Sequence, residues 1–118
     1  MLHFIENVPS DLIAVSVDGK LTKEDYDKFN RMVRLKDHAD DLKLYVEIND
    51  WEGITLKAIF EDIKASFEHY NDISKMAIAG DARWLKNWTK AGDVLTPGIE
   101  VKSFAVSERD QAMSWLDN

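Results

Sequence analysis

The sequence predicts a single α/β domain of order ββαβαβαβα, spanning residues 1–118, with a mixed, mostly parallel sheet flanked by helices. Three observations predict it. The hydrophobic period switches repeatedly between two, the period of a strand, and 3.6, that of a helix. The first two apolar runs are separated only by Val8-Pro9-Ser10-Asp11, turn chemistry too short to hold a helix. Helix start and stop signals stand between all later runs, as parallel strands joined by right-handed crossovers require.

The elements follow in order. Leu2 to Ile5 alternates as a short strand, and Leu12 to Val17 forms its antiparallel hairpin partner. Thr22 followed by Asp25 resembles a capping box and opens a helix with Tyr26, Phe29, Met32 and Val33 on its apolar side, fading by Asp37 to Asp41. Leu42 to Ile48 is nearly continuous in apolar residues, as befits a strand covered by helices. In the next helix, Leu56, Ile59, Phe60, Ile63, Phe67 and Tyr70 recur at i, i+3, i+4, i+7 spacing. Ile73 to Ala79 reads as a strand stopped by Gly80-Asp81, and Ala82 to Ala91 as a helix with Gly92 at its C-cap. Thr96-Pro97-Gly98 turns the chain into a last strand, Ile99 to Val106. Ser107 with Asp110 forms a second capping box, opening a terminal helix that bears Ala112, Met113, Trp115 and Leu116, with Trp115 in the core.

Composition narrows the function classes. The hydrophobic share of 45% and charged share of 31% are those of a globular domain, and no apolar stretch reaches the ~18 residues of a membrane span. Stable membrane insertion is therefore not expected. Met1 to Glu6 lacks a basic, then apolar, leader pattern, so the expected location is cytoplasmic. A formal net charge of -7 argues against nucleic acid as a partner, because binding there is driven by neutralising phosphates. The chain has no cysteine, hence no disulfide or thiolate chemistry. His3, His38 and His69 make no i, i+4 ligand pair, so no metal and no other cofactor is expected.

Four stretches together carry a family resemblance: Asp18 to Tyr26 at the first crossover, Tyr45-Val46-Glu47 with Asp50-Trp51-Glu52-Gly53, Met76 to Asp81 with Trp84, and Ala112 to Leu116. Taken together they resemble the SpoIIAA-like proteins, a family within the STAS superfamily of sulfate-transporter and anti-sigma-factor-antagonist domains. The resemblance implies a four- or five-stranded sheet flanked by helices, related to the lipid-carrier fold CRAL-TRIO, and brings no enzymatic activity. Anti-sigma-factor antagonists carry a phosphoacceptor in an Asp-Ser-Ser/Thr-Gly turn after the third strand. Here the corresponding stretch is Asp50-Trp51-Glu52-Gly53, and the acceptor hydroxyl is missing. Glu52 stands in its place as a permanent negative charge near a helix N-terminus, where it either mimics a phosphorylated state or simply caps the helix. Thr55 is a hydroxyl in the same turn and, equally, a cap residue.

In open α/β sheets ligands bind beyond the carboxyl ends of the strands, which makes the Asp50 to Thr55 turn the expected site. Asp50, Glu52 and Asp81 all lie just past strand ends, but no nucleophile, phosphate loop or metal set accompanies them, so no catalytic residue is expected. Trp84 and Trp88 stack along one helix face and Trp51 begins the facing loop. Ordinary packing explains this spacing, and so does an aromatic-lined pocket. Arg83, Lys86 and Lys90 form a basic stripe on the same helix, either solvated or placed to contact an anion. Two function classes stay open: a binding module for a small apolar or lipid-like ligand around Trp51, Trp84, Trp88 and the Gly92 to Gly98 loop, and a regulatory module that meets a protein partner or a second copy of itself in a homodimer.

Overall fold

The structure, a computed structural model, describes residues 2–18, 22–35, 41–50, 73–80 and 100–117. They form strands β1 (Leu2–Phe4), β2 (Leu12–Asp18), β3 (Leu42–Asp50), β4 (Ile73–Gly80) and β5 (Glu100–Ala105), with helices α1 (Lys23–Leu35) and α2 (Arg109–Asp117). The five strands make one sheet in the order β1-β2-β3-β4-β5. β1 pairs antiparallel with β2, Leu2 opposite Val17, and the remaining neighbours are parallel. The hairpin and the mixed sheet are thus those expected, and the order adds that every strand lies beside its neighbours in sequence. The expected helices between β3 and β4 and between β4 and β5 fall on residues 51–72 and 81–99, outside the described residues.

Side-chain alternation sorts the core onto two faces. Ile13, Val15, Leu44, Val46, Ile48, Met76 and Ile78 point to one face, where Phe29 and Val33 of α1 pack against them. Leu12, Ala14, Tyr45, Ala77, Ala79 and Phe104 point to the other, beneath Ala112 and Leu116 of α2. Burial on both sides explains why β3 and β4 read as apolar runs. The α2 face is paved with alanines, and this lets Ala112 reach zero exposure against the sheet.

The start of α1 is the capping box that its sequence predicts. Asp25 Oδ2 accepts from the Thr22 amide at 2.9 Å, and Thr22 Oγ1 accepts from the Asp25 amide at 3.2 Å. The Thr22 amide, more than any other contact, holds the Asp25 carboxyl below the usual carboxylate range, against a smaller opposing effect of burial.

Several boundaries and placements differ from expectation. β3 does not end at Ile48 but runs on through Asn49 and Asp50, because pairing with β2 resumes across a register shift at Asp18–Asp50. Asp50 therefore closes a strand and does not open the turn. β5 stops at Ala105 and a short 3-10 turn, Val106–Glu108, precedes α2. Glu108, not the Ser107–Asp110 pair, guards this entry: its Oε1 accepts from the Ala105 amide at 2.7 Å. Ser107 lies inside the 3-10 turn, too late to act as its cap. Trp115 is half-buried, and so lies at the rim of the core and not within it. Its ring tilts against Phe104 at 6.1 Å while Lys75 Nζ sits 5.2 Å over it and donates to the Trp115 carbonyl at 3.3 Å.

Candidate functional site

On the α2 face of β3, two polar residues occupy successive inward positions. Tyr45 is fully buried between Ala14 and Ala77 in register, and Glu47, 4% exposed, lies between Ser16 and Ala79. A carboxylate so deep needs donors, and three converge on one oxygen. The Tyr45 hydroxyl donates to Glu47 Oε2 at 3.0 Å, and Arg109 donates from Nε at 3.0 Å and from Nη2 at 2.6 Å. Arg109 is the first residue of α2, so this cluster pins the helix entry to the middle of the sheet.

The electrostatics follow from burial. Desolvation, reinforced by the Glu47 charge, pushes the Tyr45 phenol up to about 12, while its contact with Arg109 pulls the other way. Tyr45 is thus a permanent donor at neutral pH, unsuited to act as a base or nucleophile. Hydrogen bonding to Glu47 raises the guanidinium of Arg109 further above its already high value. With the Tyr45 phenol and the Arg109 guanidinium both kept protonated, the two serve the cluster as fixed donors.

Arg109 also forms part of a groove that encloses about 460 Å³ between α2 and the β1–β2 connection. Ile5, Val8, Leu12, Met113 and Leu116 give it apolar walls, and Glu6, Asp11, Lys43 and Asp117 line it with charge. The β1–β2 connection is fixed to the sheet by backbone bonds from Ile5 to Ala14 at 2.8 Å, from Leu12 to Pro9 at 3.1 Å and from Lys43 to Asp11 at 2.9 Å. Asn7 takes a left-handed φ of 63° in this connection, a conformation that asparagine tolerates better than most residues. The groove is accordingly built into the fold and lies in the usual size range for ligand sites, roughly 300–1,000 Å³.

Of the residues expected at the site, Trp51, Glu52, Thr55, Asp81, Arg83, Trp84, Lys86, Trp88 and Lys90 lie outside the described residues, as does the Gly92 to Gly98 loop. Asp50 is placed at the carboxyl end of β3, where the neighbouring Asn49 side chain donates to Ser16 Oγ of β2. Tyr45, Glu47 and Arg109 were not anticipated as a cluster. One signal for it was present: Glu47 interrupts the run Leu44-Tyr45-Val46-Glu47-Ile48, where a charge flanked by large hydrophobic residues demands a partner. Among the described residues no helix is long and apolar enough to cross a membrane, and no group of three or more histidines and carboxylates could hold a metal ion.

A five-stranded sheet that is parallel but for its first strand, with helices packed on its two faces, defines a mixed α/β domain. A SpoIIAA-like family model matches residues 12–117, and the chain belongs to the SpoIIAA-like family. The family suggests a STAS-type regulatory or binding module. No curated protein and no solved structure matches the chain.

Proposed function

We propose that this protein is a non-enzymatic binding module that holds a small amphipathic ligand in the groove between α2 and the β1–β2 connection. The groove itself carries this reading: it combines a preformed volume of about 460 Å³, apolar walls and a few fixed polar groups, the usual make-up of a small-molecule site. The sequence alone points instead to the stretch from Asp50 to Thr55. Incubating the purified protein with a lipid extract and weighing the complex by native mass spectrometry tests the reading. Wild-type protein retains a small molecule, and Met113→Trp, which fills the groove, loses it. Equal retention by the variant moves the site elsewhere, and an empty wild-type protein counts against ligand binding altogether.

The family match favours a second reading, a regulatory module that binds a protein partner or its own copy and lacks the phosphoacceptor serine, with Glu52 and Thr55 in the corresponding turn. A retained protein in the same measurement, with no small molecule, supports this alternative.

A further inference from the structure

We infer that α2 is a strap that lifts off the sheet as a unit while the strands stay paired, with the contact between Arg109 and Glu47 as its latch. The opening needs no occupant in the groove, so it stands or falls apart from the ligand-binding reading above. Length makes the helix all-or-none: α2 has 9 residues, and isolated helices shorter than about 12–15 residues are marginal in water. Undocking and unwinding are therefore one event. The hinge is the 3-10 turn Val106–Glu108, where Val106 and Ser107 are exposed.

Little apolar burial opposes the opening. Ala112 and Leu116 are the buried side chains of α2, with Met113 and Trp115 partly buried beside them. On the other face, Phe29 and Val33 of α1 pack into a cluster built from the large aliphatic residues of β2, β3 and β4. Among the described residues the rest of the hold on α2 is polar: Arg109 donates to Glu47 at its entry, and Lys75 Nζ donates to the Trp115 carbonyl near its end. Such contacts exchange for water at a small net cost, and the gain on opening is greatest at Glu47, whose carboxylate docking has stripped of water. Opening also removes one wall of the groove, the one that Arg109, Met113, Ser114, Leu116 and Asp117 supply. The strap thus sets access to that space.

Hydrogen exchange of the full chain, followed amide by amide under conditions where closing outpaces exchange, tests the inference. After correction for intrinsic rates, the amides from Met113 to Asp117 exchange together, at least about a hundredfold faster than those of β3 and β4 and with a weaker dependence on urea. In Arg109→Ala their rates rise by roughly a further thirtyfold, evenly along the helix. Exchange of α2 at the rate and urea dependence of β3 and β4 overturns the inference, and so does an Arg109→Ala effect that fades before Leu116. A second readout leaves the latch intact, because the chain has no cysteine of its own. Ala77 and Val46 are both buried, Ala77 on the α2 face and Val46 on the α1 face. A thiol reagent labels Ala77→Cys at least about a hundredfold faster than Val46→Cys when α2 opens alone; equal labelling of the two overturns the strap.

Discussion

Arg109 stands where electrostatics disfavour it. A cation in the first turn of a helix faces the positive end of the macrodipole, and only a strong partner justifies the position. Glu47 is that partner, and the two depend on each other unequally, because Glu47 is buried and Arg109 is half-exposed. Truncating Arg109 to alanine strands a desolvated carboxylate, whereas the guanidinium in a Glu47→Ala variant can turn to water. We expect Arg109→Ala to lower unfolding free energy by about 2 kcal/mol, below the usual cost of breaking a fully buried pair. Adding Glu47→Ala to it should cost less than the sum of the single changes, since the orphaned charge is gone. Urea denaturation of the four proteins checks this. At this scale the sequence was only half legible: Glu47 is visible as an anomaly within β3, but its partner lies 62 residues away in sequence and no local pattern links them.

Elements with local signals were the most legible. Thr22 and Asp25 are three residues apart, and their reciprocal hydrogen bonds form in the structure as the sequence implies. Thr22→Ala is expected to destabilise the domain by about 1 kcal/mol in thermal unfolding, the usual cost of a lost N-cap. Because the fold depresses the Asp25 pKa, its contribution is present above the ordinary carboxylate value and is lost as pH falls through the depressed one. The variant should therefore lose less stability than wild type in that acidic window. The start of α2 was less legible, because Ser107, Glu108 and Asp110 offer competing capping patterns within four positions. Tertiary position decides among them: β5 ends at Ala105, so the residue that reaches back to the Ala105 amide is Glu108. Trp115 was misplaced for a similar reason, since helical spacing shows that it shares a side with Ala112 but not how far the sheet beneath it extends.

For the molecule as a whole, the class of fold was readable because binary patterning and connection lengths decide it, and both are properties of the chain. The groove was not, because it arises from what α2 leaves uncovered. Among the described residues α2 packs against β3, β4 and β5 and the 3-10 turn before it against β4 and β5, so the β1–β2 side is left to the Ile5 to Pro9 connection. Global stability should report the buried phenol as well. The native state keeps the Tyr45 proton up to about pH 12, while the unfolded chain releases it near 10. Between these values the unfolded state binds fewer protons, so stability falls as pH rises, with a slope approaching about 1.4 kcal/mol per pH unit. Denaturation profiles of wild type and Tyr45→Phe across alkaline pH check the sign: the variant should show a shallower decline, the remainder coming from other alkaline groups.

The sequential order of the sheet bears on how the molecule is made. Each of β2 to β5 adds beside the strand that precedes it in the chain, so the sheet can grow from one edge as the polypeptide leaves the ribosome, without a gap held open for a later insertion. Glu47 is synthesised long before Arg109 and must wait for it. The segment that neutralises the buried acid and roofs the alanine-paved face is made after every strand it covers, so this face of the domain closes only once α2 has emerged.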